Sequence, residues 1–234
     1  MSNILEIVNL KKIFQKTDRG IKNISFSIPS GDFHAFIGEN GAGKTTTIKT
    51  IIGAYANYEG EVLINGINIQ KAQARSIVGY VPEVAIFPRE LSVYQYLFNL
   101  SILSNIPKND ANRRIDTFLK LFGMEKLAHE KPYTFSSGQK KKILLIQALL
   151  HEPKLLILDE PAANLDPTAR YELFNLLQKI NQENKITILI SSHVLAEIDK
   201  YVNSVTLIHQ GKILYSGPKV QSLEKLFYEK VISQ

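Results

Sequence analysis

The chain has 234 residues, of which 44% are hydrophobic and 21% charged, with a formal charge of +6 and no cysteine. That length supports one sizeable core, or a core with a subdomain, and the ordinary apolar balance is that of a soluble globular chain. The missing cysteines exclude disulfides and thiolate metal sites, and the mild basic excess is spread along the sequence as a solvated surface, so no nucleic acid is expected. The start, MSNILEIVNLKK, lacks the features of a signal peptide, and no apolar run approaches the roughly 20 residues of a membrane-spanning helix. The sequence therefore reads as cytoplasmic, with any membrane association made through a partner.

Residues 4–10 (ILEIVNL) and 21–28 (IKNISFSI) alternate as strands of an antiparallel edge, with Phe14 between them. Pro29-Ser30-Gly31 turns the chain into 32–37 (DFHAFI), an apolar run suited to a buried parallel strand. Next comes Gly38–Thr46, GENGAGKTT, which fits the phosphate-binding pattern G-x-x-x-x-G-K-[ST]. Gly38, Gly41 and Gly43 let the backbone turn tightly and bring its N–H groups to phosphate oxygens, and Asn40 and Thr46 belong to the same loop. The helix beginning near Gly43 aims its positive dipole end at the same anion. Lys44 then reaches the β- and γ-phosphates, and Thr45 holds Mg²⁺. Strand, loop and helix in this order predict nucleotide binding.

Asn65-Gly66 sets a hairpin between Glu61–Ile64 and Ile67–Ile69, and 77–81 reads as a buried strand ended by Pro82. From about 91 to 150 the apolar spacing is helical, as in Leu91, Tyr94, Leu97, Phe98 and in Ile115, Phe118, Leu119, Phe122. Strand Leu155–Leu158, a helix capped by Asp166-Pro167 and running to about Asn181, and strand Ile186–Ile190 follow. A helix from Val194 to about Lys200, a hairpin turning at Gln210-Gly211, and a last helix from Pro218 to about Lys230 complete the chain. The expected fold is α/β: a P-loop NTPase core with a mainly parallel sheet, an antiparallel β edge subdomain and an inserted all-helical subdomain. Residues 1–234 form one domain, with 1–90 and 151–234 as the core and about 91–150 as the helical insert.

LLILDE places Asp159 and Glu160 beyond the end of an apolar strand, where ligands bind in open α/β sheets. Asp159 is expected to help hold Mg²⁺, and Glu160 to orient or deprotonate the attacking water. FSSGQ, residues 135–139, opens the helix before that strand, and here the chain resembles the ATP-binding cassette (ABC) family, whose signature is L-S-G-G-Q. Gly38–Thr46 matches the family's Walker A, Leu155–Glu160 its Walker B with the catalytic glutamate, and Ala163–Asp166 its D-loop with Asp166. His193 in ISSHVLAEID matches the switch histidine, Phe14 the aromatic that stacks on adenine, and Glu83 in YVPE the Q-loop, near the metal. Taken alone, His193 also reads as a packed or capping histidine and Phe14 as a core aromatic.

What the resemblance implies is an ATPase using ATP and Mg²⁺, with Ser136, Ser137, Gly138 and Gln139 binding the γ-phosphate held by Lys44 of another subunit. Partners are therefore a second ABC ATPase subunit, identical or different, and an integral-membrane permease that places the chain on the inner face of the membrane. The branch it looks most like exports drugs, peptides and lantibiotics. An alternative is a non-transport ABC ATPase with soluble partners, such as an iron–sulfur cluster assembly ATPase. Residues 83–96 (EVAIFPRELSVYQY) read equally as permease-coupling surface or as helix core. Departures from the family are Ser137 for glycine, Phe135 for leucine, Glu83 for glutamine, and Ala162 and Ala163 for more polar residues. The Lys140–Lys142 run reads as a solvated helix start.

Overall fold

The computed structural model describes residues 2–14 and 19–233. In chain order the elements are β1 (Asn3–Phe14), β2 (Arg19–Pro29), β3 (Phe33–Ile37), α1 (Lys44–Ile51), β4 (Glu59–Ile64), β5 (Ile67–Asn68), α2 (Ala72–Arg75) and β6 (Val78–Val81). There follow α3 (Val93–Leu103), α4 (Lys108–Leu121), α5 (Ser137–Leu149), β7 (Leu155–Leu158), α6 (Pro167–Asn184), β8 (Thr187–Ser192) and α7 (Leu195–Ile198). The chain ends with β9 (Ser204–His209), β10 (Lys212–Pro218) and α8 (Leu223–Phe227).

Two sheets form. A six-stranded sheet has the order β10-β9-β3-β8-β7-β6, parallel throughout except for the antiparallel β9–β10 hairpin. A four-stranded sheet of order β2-β1-β4-β5 is antiparallel. Along each central parallel strand alternate side chains enter opposite cores, as the period of two in a pleated strand requires. Phe33, Ala35 and Ile37 of β3, with Leu156 and Leu158 of β7 and Ile188 and Ile190 of β8, pack towards α3, α4, α5 and α6. Phe36, Leu155, Ile157 and Leu189 face the other way, onto α1 and the antiparallel sheet. The helices between 91 and 150 thus share one continuous core with the main sheet.

Local chemistry accounts for the turns. Asn65 and Gly66 both hold positive φ, 50° and 73°, as a tight hairpin of this twist needs. Ser92 and Ser136 each form a reciprocal capping box with the glutamine three residues on, which fixes where α3 and α5 begin. Two expected boundaries move. Pro218 belongs to β10, paired with Ser204, so the last helix starts only at the Ser222 cap. The expected helix from Val194 to Lys200 is a single turn, α7. No helix among the described residues is long and apolar enough to cross a membrane.

Candidate active site

Three parallel strands in the middle of the sheet, β3, β8 and β7, end side by side, and the loops leaving them converge. The loop after β3 enters α1 through Gly43, whose φ of 118° is closed to other residues, and Thr47 N–H donates to the Gly43 carbonyl at 2.9 Å. Lys44 is buried to 6% exposure, and its Nζ donates to the carbonyl oxygens of Gly38 at 2.7 Å and Glu39 at 3.3 Å. Asn40, Gly41 and Thr45 are exposed, and Thr46 is half-buried at the start of the helix. The loop therefore offers an outward row of small polar groups with a buried cation beneath it.

At the end of β7 stand Asp159, 2% exposed, and Glu160, 9% exposed. Thr45 Oγ1 donates to Asp159 Oδ1 at 3.4 Å, so the loop hydroxyl and the strand carboxylate meet. Glu160 Oε2 lies 2.8 Å from His193 Nδ1 and also accepts from the His193 N–H at 3.3 Å. Its Oε1 is buried with no hydrogen bond, while Lys44 Nζ sits 3.3 Å away as a charge partner. Glu160 is also in the left-handed region at φ 44°, a conformation costing on the order of 1–3 kcal/mol for a residue with a side chain. The surrounding bonds hold it there.

One of those bonds comes from a residue that the motif reading passed over. Ser191, in β8, donates to Asp159 Oδ1 at 2.8 Å and accepts from the Glu160 N–H at 2.9 Å. A polar pair closing an otherwise apolar strand just before His193 was the available signal. The second omission is Lys141. Contrary to the solvated reading of Lys140–Lys142, it is 4% exposed and turned inward. Its Nζ donates to the Pro82 carbonyl at 3.1 Å and the Glu83 carbonyl at 2.9 Å.

The remaining predicted residues lie elsewhere. Ser136 caps α5, its Oγ accepting from the Gln139 N–H at 3.3 Å while Gln139 Oε1 accepts from the Ser136 N–H at 3.1 Å. Ser137 does not have positive φ, so serine fits there without strain. Among the described residues no hydrogen bond or ion pair joins residues 136–139 to the phosphate loop. Asp166 caps α6 through Ala169 N–H at 2.9 Å. The Glu83 side chain is exposed and makes no ion pair among the described residues. Burial, helped by the Asp159 and then the Glu83 carboxylate, pushes the Tyr80 phenol up to about 12. Phe14, at the end of β1, is 37% exposed and meets Tyr55 edge-on at 5.8 Å between ring centres. Lys12 Nζ lies 5.6 Å from the centre of the Phe14 ring.

A phosphate loop, a strand-end carboxylate pair and a histidine on the neighbouring strand of a parallel sheet define a P-loop nucleotide-hydrolysing domain. The comparisons place it further. The family model described as ABC transporter matches residues 21–163, and the chain belongs to that family. It is 45% identical over 224 residues to an ABC transporter ATP-binding protein of Mycoplasma pneumoniae, covering 95% of this chain and 68% of that one. It is 35% identical over 220 residues to the bacitracin transport ATP-binding protein BcrA of Bacillus licheniformis, covering 93% of this chain and 71% of that one. A solved structure of the ATP-binding subunit of an ABC transporter superposes with a TM-score of 0.85 at 30% identity, covering 97% of this chain and 98% of the other. The chain is an ATP-binding and ATP-hydrolysing subunit of this family, and its relatives favour transport over the soluble-partner alternative.

Proposed function

We propose that this chain drives export of a drug, peptide or similar solute through a separate membrane permease. The observation that carries this reading is the Lys44–Glu160–His193 cluster in a chain similar to a bacitracin transport subunit. Lys44 binds the β- and γ-phosphates, and the loop amides from Gly38 to Thr46, with Asn40, Gly41 and Gly43, surround them. Glu160 accepts a proton from the attacking water, and His193, hydrogen-bonded to its carboxylate, orients it and contacts the γ-phosphate. Phe14 offers its exposed ring to adenine.

Mg²⁺ fits the donor set. No cluster of three acidic or histidine side chains able to hold a metal occurs among the described residues. Mg²⁺ usually takes one or two protein ligands and completes its shell with water and nucleotide phosphates. Thr45 and Asp159 supply such a pair, and Glu83 follows β6, the strand beside β7. The ion, when bound, neutralises charge developing on the phosphates.

Ser136, Ser137, Gly138 and Gln139 serve the nucleotide of a second ABC subunit, and Asp166 lies at the same interface. Support comes from Gly138: a Cβ there meets only Ala169 Cβ, at an ordinary 3.6 Å, so the fold itself does not demand glycine. Residues 91–150 act as the helical subdomain of a single cassette. Val84 and Ile86, 64% and 81% exposed beyond Glu83, are the apolar surface for a cytoplasmic helix of the permease, which holds the chain at the inner membrane face. A tagged Glu160→Gln chain purified with Mg-ATP from detergent-solubilised native membranes tests this. A polytopic membrane protein recovered with it is the expected result. Only soluble partners would overturn the transport reading.

A further inference from the structure

Lys141 has no role in the reading above, and its environment is unusual. A buried lysine loses its hydration and is rare unless its donors find partners. Burial pushes its ammonium down to about 8, while the Glu83 and Asp159 carboxylates favour the charged form. Both of its partners are main-chain carbonyls, at the start of the segment that follows β6.

That segment, 82–91, forms no helix or strand. Among the described residues, the two bonds from Lys141 are the only hydrogen bonds that join it to the rest of the chain. Its other attachments are apolar, through Ala85 against the core and through Phe87, which is 6% exposed and packs edge-on against Tyr96 at 5.1 Å. On the helix side, Lys141 stands two residues after Gln139, whose capping box makes the 136–139 turn rigid with α5. One side chain therefore spans from the start of the signature helix to the root of the Glu83 loop.

We propose that Lys141 is a positioning residue that fastens the Glu83 loop to the signature helix. The loop beside this chain's own phosphate site and the 136–139 turn offered to the partner's nucleotide then move as one body. The inference rests on the proposed reading in which that turn serves a second subunit. Within one subunit, binding at the phosphate loop is felt by the signature through a charged clamp on two carbonyl oxygens, whatever side chain stands at 83.

Hydrogen–deuterium exchange on the full chain carrying Glu160→Gln, with and without Mg-ATP and at a protein concentration where sedimentation shows a monomer in both, tests this. In the parent, Mg-ATP slows exchange at both 84–91 and 137–140. Lys141→Met keeps the side chain's length and removes its charge. It is expected to bind Mg-ATP as the parent does, while nucleotide protection vanishes at 137–140 and weakens at 84–91 as both charged hydrogen bonds to the loop are lost. Lys141→Arg restores both. Should the methionine variant not fold, Lys141→Gln is measured in the same way. Coupled protection that survives in the variant, with only a lower melting temperature, overturns the proposal, as does a parent that binds Mg-ATP with no response at 137–140. A parent that binds no Mg-ATP overturns the reading of the nucleotide site and the inference with it.

Discussion

Glu160 and His193 face each other from neighbouring strand ends, with the carboxylate Oε2 2.8 Å from the imidazole Nδ1. The other carboxylate oxygen lies 3.3 Å from Lys44 Nζ and has no hydrogen bond. A single buried side chain thus touches the lysine of the β3–α1 loop and the histidine, with one oxygen free to accept a proton. Replacing it by glutamine keeps the shape and removes the basicity. Glu160→Gln is expected to slow ATP hydrolysis by about 10²–10⁴-fold while leaving nucleotide binding intact, measured by phosphate release and by titration with a fluorescent ATP analogue.

Ser191 is the hidden support of this pair. Ser191→Ala removes the donor to Asp159 and leaves the buried Glu160 N–H without its acceptor. A loss of about 1–3 kcal/mol is expected, read as a lower urea midpoint. Hydrolysis should fall more than ATP affinity, because Glu160 leaves its strained backbone geometry. Equal losses in both would assign Ser191 to the fold alone.

Gly138 gives the opposite pattern. Its would-be Cβ has room, and an acidic residue in the first turn of a helix is favourable to the dipole. Gly138→Asp should therefore melt within a few degrees of the parent and still bind ATP, yet lose the ATP-induced dimerisation proposed above, in which its charge would oppose the partner's γ-phosphate. Sedimentation with the Glu160→Gln background reads this directly.

A pH effect follows from His34 in β3. It is 1% exposed, with Nδ1 2.5 Å from Ser204 Oγ and Nε2 2.9 Å from Thr206 Oγ1, and Ser204 in turn donates to Asp32. Burial holds the imidazole below its ordinary value, against the pull of Asp32. The unfolded chain then binds more protons than the folded one, so stability is present above the ordinary histidine value of about 6.5 and is lost as pH falls below it. Urea midpoints should drop between pH 7.5 and pH 5.5, and His34→Asn should make the profile shallower, the remainder coming from His151, which burial also holds low.

Much of this was legible in the residues because it is local. Glycine positions, a lysine and a threonine at fixed offsets, caps such as Ser136 and Asp166, and period-two apolar strands each state their geometry within a few neighbours. The α/β class, the glycine-rich loop after β3, the strand-end carboxylates and the helices between 91 and 150 could all be read in this way. Long-range packing decided the rest. Ser191 reaches Asp159 and Glu160 only because β8 lies beside β7, and Lys141 turns inward only because α5 packs over the end of β6. A lysine run looks alike on paper whether solvated or buried; which of the three enters the interior depends on the loop that follows β6, whose carbonyls replace the water the ammonium gives up.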